Sequence, residues 1–380
     1  MNHSSRRARV SRGWAAVALV AAVSISAQSA LGTPLDVSAL YDQETIFENT
    51  NSLRSLALSQ DGSTLYSGWL HGADARAVYK HDALVQGAIP DAYPMGTIQP
   101  NSLATDDRGN VYIGYGENGN GGIEIVNGSF ASVAAAFNGG NTSDVEGLSV
   151  WKDLSGAPSP PAYYLYASRR DGTIQRFDVT DPTSPALDTG WASSGTYAVP
   201  GAGTLRGMEV AADGTIFLAQ RDTASGDRLG FVYSIPPSLG TLMSVPLSGA
   251  MDVAIYDDEL YVSTYRGLDS TVEVLSTADL LHLATYEPNI PRVGDVEKQE
   301  DLYGYSGIDI SDDGQLYLGD QWYMLYRIDP GGKQHADRIL THPPIGIGPE
   351  PPPEPVIPEP ATLLVLGMGC LALARRRKGA

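Results

Sequence analysis

One cysteine in 380 residues leaves no partner for an intrachain disulfide, so stability has to come from packing and topology. Basic residues are also scarce: 25 Lys and Arg stand against 44 Asp and Glu, a formal charge of −19. A nucleic-acid partner held through its phosphates needs clustered Lys and Arg, so that class is excluded. The six histidines form no His-x-His or His-x3-His pair to hold zinc. No Gly-x-Ser-x-Gly elbow occurs, and Cys370 sits in a terminal apolar run, so no catalytic nucleophile presents itself. Charged residues make up only 18% of the chain against 42% hydrophobic ones, which is too apolar for disorder. Glycine (42) and proline (25) are plentiful, as in chains of many short strands joined by turns.

The two ends differ from the middle. Arg6, Arg7, Arg9 and Arg12 precede the ten apolar residues Trp14 to Val23, and small residues follow. That order predicts a secretory signal peptide over 1–32, since ten apolar residues cannot span a bilayer that needs roughly twenty. At the other end, a Pro-rich linker over 343–357 leads to Pro358-Glu359-Pro360, the apolar run Ala361 to Ala374, and Arg375-Arg376-Arg377-Lys378. Proline keeps the linker extended and out of any packed core. The basic end can snorkel and stay cytoplasmic while the apolar run enters the membrane as a short transmembrane helix. The end segments 1–30 and 361–380 hold eight of the 25 basic residues and no acidic one. What remains carries 17 basic against 44 acidic residues, a formal −27, which favours solubility and cation attraction.

The middle is a sixfold repeat. Its copies begin at Leu53, Pro100, Val145, Leu205, Ala250 and Tyr305, each with alternating apolar and small residues. In five copies a tight acidic or Asp-Gly turn follows, then an apolar-aromatic run such as Val111-Tyr112-Ile113 or Leu316-Tyr317-Leu318. The third copy replaces its turn with the Pro-rich stretch Asp153 to Pro161. Third strands follow, for example Thr173 to Phe177 and Thr271 to Val274, with period-2 alternation. A period of about 50 residues built this way marks a β-propeller blade. The expected fold is all-β: a six-bladed β-propeller over 33–342, with blades near 51–98, 99–143, 144–200, 201–246, 247–300 and 301–342. A closing strand is expected from 36–41 or from 337–342, so that no edge is left open. The third residue of each copy is small (Ser55, Ser102, Gly147, Gly207, Gly307) except for Asp252, as crowding at a ring axis demands. Asp106-Asp107, Asp257-Asp258 and Asp312-Asp313 recur at the blade turn, which reads as turn chemistry rather than catalytic pairs. Gly114 to Gly122 reads as a long hairpin loop, because no helix follows to complete a phosphate cradle.

Two resemblances add to this reading. The tail, with Pro358-Glu359-Pro360, apolar run and basic cluster in order, resembles the PEP-CTERM sorting signal of exopolysaccharide-producing Gram-negative bacteria. It implies recognition by an exosortase-type processing enzyme, transient anchoring in the inner membrane, and release to the cell surface or beyond. The blade wording resembles the NHL and SMP-30 (gluconolactonase)-like six-bladed propellers, whose metal-dependent lactonases place acidic or amide ligands just before the small residue of several inner strands. Here that column reads Arg54, Asn101, Glu146, Arg206, Met251, Ser306. Asn101 and Glu146 suit a divalent cation such as calcium; Arg54, Arg206 and Met251 do not. Glu146 and Arg206, in adjacent copies, are expected to converge as an ion pair that competes with metal binding. The channel candidates are therefore Asn101, Glu146 and Arg206. The leading expectation is a secreted, surface-targeted binding module for extracellular glycan or another matrix component, with no assembled catalytic set. A metal-dependent lactonase is the alternative.

Overall fold

The computed structural model describes residues 53–69, 76–82, 91–117, 119–155, 161–221, 229–266, 270–286, 304–320, 325–328 and 336–340. The signal segment 1–32, the stretch 36–41, the linker 343–357 and the tail 358–380 lie outside them. Among the described residues every regular element is a strand, and no helix is long and apolar enough to cross a membrane.

The strands form consecutive antiparallel sheets. The first holds β1 (Leu53–Leu58), β2 (Thr64–Trp69), β3 (Ala77–Asp82) and β4 (Asp91–Pro94). The second holds β5 (Pro100–Thr105), β6 (Asn110–Tyr115), β7 (Gly122–Asn127) and β8 (Ser132–Phe137). The third holds β9 (Val145–Asp153), β10 (Ala162–Arg169), β11 (Thr173–Asp178), β12 (Ala186–Leu187) and β13 (Thr196–Ala198). The fourth holds β14 (Leu205–Val210), β15 (Ile216–Arg221), β16 (Gly230–Ile235) and β17 (Met243–Pro246). The fifth holds β18 (Ala250–Tyr256), β19 (Glu259–Thr264), β20 (Val272–Ser276) and β21 (His282–Tyr286). The last holds β22 (Tyr305–Ile310), β23 (Leu316–Asp320), β24 (Leu325–Ile328) and β25 (Ala336–Leu340). The chain is an all-β propeller.

Five sheets have four strands, and the third departs from that pattern with five. Both β12 and β13 pair with β11, along Phe177–Asp178 and Thr173–Gln175 respectively. The chain between them tucks Trp191 inward, 6% exposed and edge-on to Tyr166 at 5.5 Å. The same excursion takes positive φ at Ala192 and Ser194 and is fastened by an Arg176–Asp188 ion pair. The buried tryptophan thus lies in the segment that separates the two short outer strands.

The hydrophobic core is distributed. Among the described residues, buried apolar side chains form clusters that each lie between consecutive sheets, such as Tyr66, Val78, Leu103 and Ile113 between the first two. One cluster joins the last sheet to the first, through Tyr317 and Leu325 against Leu53, Leu65 and Trp69. The inner strands β1, β5, β9, β14, β18 and β22 neighbour one another in that order and return to β1. Ser306 Oγ donates to Leu53 O at 2.5 Å, and Leu58 N donates to Asp309 Oδ2 at 2.7 Å, across the same seam. The stretch 337–342 was an expected closing strand, but β25 pairs with β24 inside its own sheet. The described contacts between the first and last sheets are this apolar packing and these two hydrogen bonds.

The Asp-Gly turns do local work. Asp61 Oδ1 accepts from Ser63 N at 3.0 Å, and Asp213 Oδ1 accepts from Thr215 N at 2.8 Å. The glycines between them, Gly62 and Gly214, have φ of 67° and 86°, which an L side chain rarely adopts. Asp106 accepts from the backbone of Arg108 and Asn110, as a turn carboxylate does. Asp107 accepts from Lys152 Nζ and Tyr163 Oη, both at 2.6 Å, and so tethers the second sheet to the third.

Candidate binding site in the central channel

The inner strands carry a shared irregularity. In each one the pairing register shifts immediately after the first residue: between Leu53 and Ser55, Pro100 and Ser102, Ala250 and Asp252, and Tyr305 and Gly307. The shift lies between Val145 and Gly147 in the third sheet and between Leu205 and Met208 in the fourth. A bulge leaves one residue out of the ladder and re-aims its side chain. That residue is the second of each copy, joined in the fourth sheet by Gly207, and Arg54, Asn101, Glu146, Arg206, Met251 and Ser306 all line one cavity of about 250 Å³. The small third residue follows from the same crowding. A Cβ at Gly147 would lie 2.5 Å from the carbonyl of Arg206 and 2.5 Å from Ser168 Oγ.

The upper tier of this cavity is charged and mostly sequestered. Arg206 Nη1 donates to Glu146 Oε2 in an ion pair whose two side chains are only 9% and 6% exposed. Asn101 Nδ2 donates to Gly116 O at 2.9 Å. The structure therefore brings Glu146 and Arg206 together, while Asn101 stands in the same ring bonded to its own hairpin loop. That loop, between β6 and β7, carries Glu117, which pairs with Arg76 at 3.0 Å. Among the described residues no group of three or more His, Cys, Asp or Glu side chains is placed to hold a metal ion.

Arg54 was set aside at the sequence level as unsuited to a metal. It is the one channel cation with no hydrogen-bond or ion-pair partner among the described residues. Burial and the nearby Arg206 guanidinium pull its pKa down to about 10, against a raising pull from Glu146. Arg206 also keeps its Nε buried without a partner.

A lower tier was not anticipated. Glu209, Asp252 and Asp309 line the same cavity. Burial, reinforced by Asp309 and Asp252, raises the Glu209 carboxyl to about 8. Burial also raises Asp252 to about 8, against the lowering effect of its Ile308 and Val253 backbone donors. Asp309 is raised to about 6 by burial although it accepts from Leu58 N and Ile310 N at 2.7 Å each. These bonds give the carboxylates a second job: Asp252 and Asp309 each accept a backbone N–H from the neighbouring sheet. The sequence signal was Asp252 itself, an acidic residue at a position that is otherwise small.

Residues 356–378 match the PEP-CTERM protein-sorting motif. This motif implies export, recognition by an exosortase-type processing enzyme, and membrane-associated sorting toward the cell surface. No curated protein matches the chain. Among solved structures, the RRP9 WD40 repeats are similar with a TM-score of 0.49 at 13% identity, over 78% of this chain and 82% of that one. A chain of a nidogen/laminin complex is similar with a TM-score of 0.43 at 14% identity, over 62% and 80%. The glutaminyl cyclase of Myxococcus xanthus gives 0.38 at 13%, over 63% and 90%.

Proposed function

We propose that this is an exported, surface-sorted β-propeller that works as a binding module, with six blades closed into a ring and the axial channel as its recognition site. The observation that carries the reading is the conjunction of the sorting motif over 356–378 with a polar cavity lined by the bulged second residues of all six inner strands. A rigid ring that turns six side chains toward one axis is a natural platform for recognition. Its partner is an extracellular glycan or another matrix component of a Gram-negative cell surface. The metal-dependent lactonase alternative draws on Asn101 and Glu146. The Arg206 guanidinium already engages Glu146, which weighs toward the binding module, since a carboxylate so held is a poorer cation ligand.

The test is cosedimentation of the exported protein with the extracellular polysaccharide of the producing cell. The comparison is a Met251→Trp variant, which fills the channel with an apolar side chain. Loss of sedimentation in that variant is the expected result. A wild-type protein that does not sediment with the matrix overturns the matrix reading, and equal sedimentation of both moves recognition off the channel.

A further inference from the structure

The chain is strongly acidic, −19 overall, yet the upper tier of its channel carries an excess of positive charge. Arg206 is answered by Glu146, and Asn101, Met251 and Ser306 are neutral. Nearby Arg170 is answered by Asp144 at 3.1 Å, and the Arg221 guanidinium lies over the Tyr265 ring at 4.4 Å. Arg54 alone in the tier has no hydrogen-bond or ion-pair partner among the described residues and feels Glu146 only at longer range. Withdrawing a guanidinium even partly from water without a partner is costly, and Arg54 is half-buried. Nothing in the fold requires it there, since the equivalent residue elsewhere is Asn101, Met251 or Ser306. Its Nε is buried, so the planar guanidinium offers its terminal Nη–H donors at the wall of the cavity, and two such donors can recognise an oxyanion in bidentate fashion.

We infer that the upper tier of the channel binds a small, hydroxyl-bearing monocarboxylate, anchored by the Arg54 guanidinium. This rests on the reading of the channel as the recognition site. One unanswered cation matches one negative charge. A phosphate dianion would place its second charge near the Glu146 carboxylate, while the carboxyls of Glu209, Asp252 and Asp309 line the same cavity. Those carboxyls suit hydroxyl groups, because in their protonated form they donate and in either form they accept. The cavity of about 250 Å³ limits the occupant to roughly a single sugar-sized unit, below the usual range of drug-sized pockets.

The test is calorimetric titration of the exported protein at low salt with glucuronate, glucose and inorganic phosphate. The expectation is that glucuronate binds, glucose does not, and phosphate binds more weakly than glucuronate. Arg54→Met should fold with an undiminished melting midpoint, because it removes a half-buried charge that has no hydrogen-bond or ion-pair partner among the described residues, and should bind glucuronate about tenfold or more weakly. If Arg54→Met fails to fold, Arg54→Lys decides: it keeps the charge but loses the fork, so binding should weaken several-fold with its salt dependence retained. Absence of glucuronate binding, unchanged affinity in the folded Arg54 variant, or tighter binding of phosphate would each overturn the assignment. These small-molecule results stand apart from cosedimentation. A protein that binds glucuronate through Arg54 but ignores the matrix keeps this site and loses the matrix reading.

Discussion

Replacing Glu209 by glutamine isolates the energetic cost of the lower tier. The glutamine keeps an acceptor for Ser149 Oγ, which now donates to Glu209 Oε1 at 3.3 Å, but it cannot ionise. In the native fold the Glu209 carboxyl holds its proton to about pH 8, whereas its ordinary value is 4.5. An unfolded chain is therefore ionised at this residue from about pH 4.5 upward while the folded one is not, so native stability falls as pH rises through that interval. Below it both states are protonated and the residue costs nothing. Full linkage over the interval amounts to about 5 kcal/mol at ~1.36 kcal/mol per pH unit. Glu209 is only half-buried at the cavity wall, so screening reduces that to about 2 kcal/mol. For a chain of this size each kcal/mol moves the midpoint by about 2–4 °C. Glu209→Gln should thus melt about 4–8 °C above the wild type at pH 9 and close to it at pH 4.5. The measurement is scanning calorimetry of both proteins at the two pH values. A difference that is the same at both, or a variant less stable at pH 9, would refute a buried, proton-holding carboxyl at this position.

Three further outcomes are expected. Glu146→Ala leaves Arg206 sequestered without its carboxylate and should lose about 3 kcal/mol in denaturant unfolding, and adding Arg206→Met should recover most of it; an unchanged midpoint for the single variant would mean the pair contributes nothing. Glu359→Ala should leave a larger precursor retained in the inner membrane, read by immunoblot of cell fractions, and unchanged size and location would reduce the tail to a plain anchor. Deleting residues 303–342 bares the apolar faces of Leu53, Leu65 and Trp69 and should give an aggregating protein by size-exclusion chromatography; a soluble, cooperatively melting product would count against the closed ring.

The inner three strands of each sheet were legible because they obey packing rules the sequence repeats. All six inner strands start at the residue where the repeat starts, Leu53, Pro100, Val145, Leu205, Ala250 and Tyr305. Buried strands with apolar alternation and Asp-Gly turns leave a strong local trace. The outer strands left little. Asp91–Pro94 and Met243–Pro246 are largely exposed, with no buried face to impose alternation, and the split of β12 from β13 depends on where Trp191 finds cover. The Glu146–Arg206 pair could be read from equal positions in adjacent copies. The role of Arg54 could not, because whether a guanidinium is answered depends on three-dimensional neighbours. The lower tier was hidden for a related reason: Glu209 and Asp309 are the fifth residues of their copies, where the others are Ala57, Ala104, Ser149 and Ala254, and only closure of the ring sets these side chains around one cavity.

The placement of this chemistry follows from the bulge. The first and fourth residues of every inner strand are buried against neighbouring sheets: Leu53, Val145, Leu205 and Tyr305 among the first, and Leu56, Leu103, Leu148, Met208, Val253 and Ile308 among the fourth. Such positions admit only apolar side chains of suitable volume. The third residue is confined by the approach of the next inner strand, as Gly147 illustrates. The second residue, released from the ladder, faces the axis instead, and there the copies diverge into Arg, Asn, Glu, Arg, Met and Ser. A repeat that must stay uniform to pack varies most at this position, and less widely at the third and fifth, where Asp252, Glu209 and Asp309 line the same cavity. That argument makes the unanswered Arg54 more informative than the paired Glu146 and Arg206. The Glu146 and Arg206 charges engage each other within the fold, whereas Arg54 has no hydrogen-bond or ion-pair partner among the described residues.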